Sequence, residues 1–191
     1  WYDAFQLRDG RLVLLLGDVA GHGVAAAGIM AQLRNALRAQ LFAGAAPAEA
    51  LNQLNDFCVH MLPSAFATVI AARIDLGSGQ VEAASAGHLM PYLTDAASAA
   101  TQAPIRISPP IGIRGVTYTP STFVVAPGHG LVMYSDGLVE RRRKSIDDGL
   151  DRLAETLSRV GNASATRIWR AMSTVLGNTD DDVAIVSLRR P

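Results

Sequence analysis

Three acids stand where aliphatic runs meet turns: Asp18 after Leu12 to Gly17, Asp136 after Leu131 to Ser135, and Asp181 just ahead of Val183 to Leu188. A carboxylate that closes a buried strand is costly to desolvate unless it is paired, and Gly17, Val19, Ser135 and Gly137 offer no fixed cation beside it. A divalent metal ion would answer that need. Hard cations such as Mg2+ or Mn2+ take oxygen ligands and keep several waters, so a few carboxylates and a backbone carbonyl suffice. The nearby glycines leave room for water and substrate. Each acid also has a plainer reading: Asp18 could cap a helix starting near Gly23, Asp136-Gly137 could be a simple turn, and Asp180-Asp181-Asp182 a solvated acidic turn.

The elements that must position these acids are legible from periodicity. Asp3 to Leu7 and Arg11 to Gly17 flank Arg8-Asp9-Gly10, a strand, tight turn and strand, with the second strand central. Ile29, Leu33, Leu37 and Leu41 fall at helical spacing between Gly23 and Phe42, and Pro47 opens a second helix whose face carries Leu51, Leu54, Cys58 and Met61. Ala65 to Ile74, Gln80 to Ala86 and Leu89 to Leu93 read as a meander. Residues 95 to 120 read as a long loop with one short strand. Thr122 to Ala126 and Leu131 to Tyr134 are further strands, helices follow at about 146–160 and 164–176, and Val183 to Leu188 closes the chain as a buried strand. Strands and helices come in blocks, which favours an antiparallel α+β layer fold over a doubly wound parallel sheet.

Composition narrows the class. A chain of 191 residues, 49% hydrophobic and 18% charged, is expected to form a single domain, 1–191, with a real core. Lys and Arg total 17, as do Asp and Glu, so the broad basic footprint of nucleic-acid binding is missing, and the one basic run, Arg141 to Lys144, is too short to supply it. The lone Cys58 excludes a thiolate zinc cage and an internal disulfide; it fits a reducing compartment and hence a cytoplasmic location. No aliphatic run approaches the roughly 18 residues of a membrane span, and no signal peptide is evident.

Five ordered motifs carry a resemblance. Gly17-Asp-Val-Ala-Gly-His-Gly23, Ser85-Ala-Gly-His-Leu-Met-Pro91, Pro110-Ile-Gly112, Met133-Tyr-Ser-Asp-Gly-Leu-Val-Glu140 and Asp181-Asp-Val-Ala184 resemble the PPM-type (type 2C) protein Ser/Thr phosphatases. The similarity is to the bacterial branch that includes SpoIIE and RsbU, and it spans residue 1 to about 190. The resemblance implies a four-layer α-β-β-α sandwich, with two mainly antiparallel sheets flanked by helix pairs, and a centre of two Mn2+ or Mg2+ ions. It implies that Asp18 bridges both metals, that the Val19 carbonyl binds one, and that Asp136 and Asp181 complete one shell. Asp3, Gly137 and Asp182 are implied to stand one layer further out. Two ions about 3.5 to 4 Å apart make water acidic enough for in-line attack on phosphorus at neutral pH, so no covalent phosphoenzyme is needed. Cys58 then reads as core.

His22, between two glycines beyond Asp18, is a candidate to protonate the leaving serine oxygen or to place substrate, against a turn residue. His88 reads as structural, and His60 and His129 carry no signal. The resemblance further implies a phosphoprotein substrate such as a STAS-domain anti-sigma-factor antagonist, and a helix pair over 23–62 that acts as a switch and supports a homodimer. Because the chain opens at Trp1, short of the family's Gly-Gly-Asp and upstream strand, a longer protein with N-terminal sensor or receiver modules is expected. Two other classes compete. Gly21-His-Gly23-Val-Ala-Ala26 mimics a dinucleotide fingerprint but lacks the strand that should follow its helix, and a phosphatase-like interaction module without activity would show no Mn2+ binding.

Overall fold

A computed structural model describes residues 1–95, 100–141, 145–176 and 182–191, with the backbone alone at 175 and 176. Two compact units divide the chain: Trp1–His88 with Pro104–Phe123, and Leu89–Ala103 with Val124–Pro191.

The first unit is built on a sheet of order β1-β2-β3-β4-β7, with β8 also paired to β4. Strands β1 (Tyr2–Gln6), β2 (Leu12–Val19), β3 (Ala67–Ile74) and β4 (Gln80–Ala86) are antiparallel neighbours, so β2 is central as its aliphatic run predicts. Asp9 shapes the first turn by accepting from Arg11 N at 3.1 Å. Between β2 and β3 lie helices α1 (Gly23–Phe42) and α2 (Pro47–Met61). Alternation along the strands gives the sheet one face made of Val13, Leu15, Val19, Val69, Ala71, Ala84 and Ala86, and this face packs with Leu33, Leu37 and Leu41 of α1 and Leu51, Leu54 and Cys58 of α2. Met61 was expected on the same stripe but is 67% exposed. By the 3.6-residue repeat Met61 falls between buried Ala50 and Leu54, so its exposure comes from its place as the last residue of α2 rather than from its face.

The dinucleotide reading fails on topology, since β2 and β3 are antiparallel and two helices separate them. The expected meander also ends early. Strands β7 (Ile107–Ser108) and β8 (Ser121–Val124) pair with β4, β7 in parallel through Ser85↔Ile107, and occupy the place the meander would give its next strand.

That next strand, β5 (Tyr92–Thr94), belongs to the second unit, in a sheet of order β10-β9-β5-β6 with β6 (Ala100–Gln102), β9 (Gly130–Tyr134) and β10 (Ile185–Arg189). Tyr92, Val132 and Tyr134 pack with Leu153 and Leu157 of α3 (Ile146–Val160) and Ile168 and Met172 of α4 (Ala165–Leu176). Ser145 caps α3 by accepting from Asp147 N at 3.2 Å. The closing strand β10 reads as buried in the sequence; as the edge strand of its sheet it is half-buried. Each unit thus supplies one sheet and one helix pair, the layers of the expected α+β sandwich. Among the described residues no helix is long and apolar enough to cross a membrane.

Candidate functional site

In the first unit, Asp18 lies inside β2 rather than beyond it, with Thr68 of β3 as its direct cross-strand partner. Val19 shares the helix-packed face, so Asp18 has the opposite parity and falls on the same side as Leu14 and Leu16. Unlike those leucines, Asp18 is exposed. The expected burial of this carboxylate is therefore corrected: Val13 to Gly17 are buried, but at Asp18 the strand runs out toward an open loop. Desolvation gives no argument for a metal here, and what remains is the donor chemistry of an accessible carboxylate beside the Val19 carbonyl.

The loop that follows is anchored at its start, where Ala20 N donates to Phe66 O at 2.8 Å. Gly21 and Gly23 take φ of +105° and +82°, a region closed to most side chains, with open space where a Cβ would stand. Exposed His22 sits between them at the N-cap of α1 and makes no side-chain cap bond. Asp3 stands opposite Leu15, on the helix-bearing side of the sheet, where Arg38 of α1 donates to both its oxygens at 2.9 and 2.8 Å and covers the Phe5 ring at 4.8 Å. The implied role of Asp3 beside the metal has Asp18 on the other face of this sheet.

His88 is buried at the turn after β4, and its Nδ1 meets Thr68 Oγ1 at 3.0 Å. Gly87, with φ of +69°, turns the chain there and its N–H donates to Ser108 O. Ser85 Oγ donates to the His88 carbonyl at 3.2 Å. Cys58 is wholly buried and burial pushes its thiol up, which makes it inert core. His60 is exposed and His129 half-buried, and their rings meet carbonyls of nearby residues, Asp56 and Pro127.

In the second unit, β9 delivers Ser135 and then a 3-10 turn over Asp136–Leu138. Ser135 is tied to the strand ahead of β10: its Oγ accepts from Ala184 N at 2.8 Å and donates to Asp182 O at 3.3 Å. Asp136 is half-buried and its Oδ1 accepts from Gly137 N at 2.8 Å, while Val139 N and Glu140 N donate to its carbonyl. Arg141 donates to Gly137 O at 2.9 Å. The turn reading and the ligand reading of Ser-Asp-Gly are therefore compatible, since the turn leaves one Asp136 oxygen beyond this local bond. Asp182 is exposed, and Asp181 lies outside the described residues.

Asp18 and Val19 thus belong to the first unit, and Asp136, Gly137 and Asp182 to the second. Among the described residues no group of three His, Cys, Asp or Glu is gathered as a metal site. In kind, the donors fit Mg2+ or Mn2+: all are oxygens, and Asp18 is accessible. Sequence reasoning missed Thr68, Asn55 and Gly149. The last carried a signal, because a glycine inside a helix costs stability unless something approaches its Cα.

A family model described as Stage II sporulation protein E (SpoIIE) matches residues 8–191. Over 227 aligned residues the chain is 25% identical to Protein IcfG of Synechocystis sp., covering 100% of this chain and 35% of that protein. Over 146 residues it is 26% identical to Phosphoserine phosphatase RsbP of Bacillus subtilis, covering 73% and 36%. The chain therefore spans about a third of the length of these curated relatives. Among solved structures, the RsbU and RsbW domains of Rv1364c from Mycobacterium tuberculosis match with a TM-score of 0.86 and 35% identity, over 100% of this chain and 54% of that one. The SiaA-PP2C domain of Pseudomonas aeruginosa matches in fold, with a TM-score of 0.81 at 20% identity, over 100% and 79%.

Proposed function

The chain belongs to the family of Stage II sporulation protein E (SpoIIE), within the PPM-type protein Ser/Thr phosphatases, and from this premise we propose that it hydrolyses phosphoserine or phosphothreonine on a protein with the help of divalent metal. The observation that carries this reading is the accessible Asp18 carboxylate at the end of a buried central strand, ahead of an open Gly-His-Gly loop. In the proposal Asp18, the Val19 carbonyl, Asp136 and Asp181 hold two Mn2+ or Mg2+ ions. When bound, the ions supply Lewis acidity that activates water and offsets charge on the phosphoryl oxygens.

The chain's own residues do the remaining work. The 3-10 turn fixes Asp136 through the Gly137 N–H, and Ser135 ties that turn to the backbone of Asp182 and Ala184, next to Asp181. Gly137 and Asp182 act as supports. In the proposal His22 hands a proton to the departing serine or threonine oxygen, and the open space at Gly21 and Gly23 on either side of it supports that reading. A phosphorylated STAS-domain anti-sigma-factor antagonist is the proposed substrate, in stress or sigma-factor signalling. The relative named Phosphoserine phosphatase RsbP supports the reaction class.

The test is release of phosphate from a phosphoserine protein of this class, with Mn2+, after EDTA, and after Mn2+ is restored. Loss and recovery of turnover are expected. Turnover that survives complete chelation would overturn the metal-dependent reading, and absence of Mn2+ binding in a calorimetric titration, together with absence of turnover, would favour an interaction module.

A further inference from the structure

We propose that Thr68 is a positioning residue for the Asp18 carboxylate and that His88 holds Thr68 in that role; the inference rests on the reading of Asp18 as a metal ligand. The pattern of the sheet face singles out this pair. On the side turned away from α1 and α2, β2 presents Leu12, Leu14, Leu16 and Asp18, while β3 presents Thr68, Ile70, Ala72 and Ile74. Each strand carries one polar residue on this face, and the register sets the two directly opposite each other. Directly opposed side chains have Cβ atoms about 4.5 to 5.5 Å apart, within reach of a hydroxyl and a carboxylate.

Strand formation does not require the hydroxyl, since valine has the same branched shape and equal or better β propensity. His88 gives it a defined direction. An imidazole only 3% exposed is costly without polar partners, and its Nδ1 lies 3.0 Å from Thr68 Oγ1. Its backbone is fixed independently: Ser85 Oγ holds the His88 carbonyl, and the preceding Gly87 is pinned by Ser108 O and packs against Pro110. The ring thus comes from a rigid turn and meets a β-branched side chain with restricted χ1, which fixes where the other hydrogen-bonding sites of the hydroxyl point. Thr68 touches the buried imidazole and is the cross-strand partner of the accessible carboxylate, and from such a place an outer group can orient a ligand.

Calorimetric titration of the protein with Mn2+ tests this without reference to turnover. Thr68→Val is expected to weaken Mn2+ binding by about 10- to 100-fold, the usual cost of losing a partner behind a metal ligand, and Thr68→Ser to stay within about threefold of wild type. In EDTA the urea midpoint should fall in Thr68→Val, which strips His88 Nδ1 of its partner, and hold in Thr68→Ser, with both variants still folded in the buffer used for the titration. His88→Asn should show a similar loss, and the double variant no more than the larger single loss, because both act along one line. Wild-type affinity in Thr68→Val, with binding still abolished by Asp18→Asn, would overturn this inference and leave the metal reading standing. Fully additive losses would overturn the role of His88. Absence of Mn2+ binding by wild type would overturn the metal reading and this inference with it. If His88→Asn fails to fold, Thr68→Val against Thr68→Ser still decides.

Discussion

Asn55 of α2 holds Gly112 by accepting from its backbone N–H at 2.8 Å, and the same amide donates to Ile113 O at 2.9 Å. Asn52, one turn earlier, does the same for a single residue, accepting from Tyr118 N at 2.8 Å and donating to Tyr118 O at 3.2 Å. The helix thereby clamps the segment whose Ile111 bridges Ala67, the cross-strand partner of Val19. Helix α2 and the end of β2 are joined through this loop as well as through the apolar core.

Replacing Asn55 by Ala should leave the N–H of half-buried Gly112 and the carbonyl of exposed Ile113 without this partner. Each orphaned group costs about 1–3 kcal/mol, so a urea midpoint well below wild type is expected, with a slope near wild type. Asn55→Asp keeps the acceptor for Gly112 N and loses the donor to Ile113 O, yet it introduces a charge at a site only 3% exposed, so it should not restore stability. A midpoint unchanged in Asn55→Ala would show that water satisfies the loop.

Gly149 of α3 meets the turn that carries Asp136. A Cβ at Gly149 would collide with the backbone carbonyl of Val139, which cannot swing aside as a side chain could. Glycine to alanine in an exposed helix interior ordinarily stabilises by about 1 kcal/mol. Here the sign should reverse, with a loss of about 1–3 kcal/mol from overpacking. Unfolding by urea gives the sign, and backbone NMR shifts at Gly137 and Val139 should move with it. A stabilised variant would mean that α3 and the turn separate without cost.

Much of this arrangement was legible in the sequence. The stripe of Leu33, Leu37 and Leu41 gave α1 its face, and Asp9-Gly10 gave the first hairpin. Alternation marks a strand but does not say which sheet receives it, so β5 was assigned to the wrong neighbour. Asp18 is exposed although the aliphatic run ahead of it is buried through Gly17, because composition marks where a buried run lies and not the residue at which it reaches solvent. Thr68 and Asn55 left no signal, since their roles depend on cross-strand register and on a loop 57 residues further along the chain for Asn55. A period-2 or period-3.6 pattern records only which face a residue occupies.

Asp18→Asn and Asp136→Asn separate ligand from scaffold. Asp18 is exposed and Asp136 half-buried, so neither substitution should disturb a packed core, and unfolding in EDTA should shift by no more than about 0.5 kcal/mol for Asp18. Mn2+ affinity should fall by at least about tenfold in each, with turnover falling alongside. A large loss of stability in metal-free buffer would make the carboxylates structural instead.

Alkaline pH should destabilise the second unit through Tyr134. Its hydroxyl donates to Met90 O at 3.1 Å, and its ring is buried with the Tyr92 centroid 6.0 Å away. Burial, and then the neighbouring Tyr92, hold the phenol well above its ordinary range. With the folded value raised, both states keep the proton below about pH 10 and the contribution of Tyr134 to stability is complete. Above that point the unfolded chain ionises first, so stability falls as pH rises, by up to about 1.4 kcal/mol per pH unit for each such group, until the folded value is reached. Tyr118, buried in the first unit with its hydroxyl on Pro110 O, follows the same sign. Urea midpoints should therefore decline above about pH 10, and Tyr134→Phe should shallow that decline while costing about 1 kcal/mol at neutral pH for the lost bond to Met90. Tyrosinate absorbance should show fewer ionised groups in the folded protein than in the unfolded one at pH 10.5 or so. A decline equally steep in Tyr134→Phe would show that other groups set the alkaline limit.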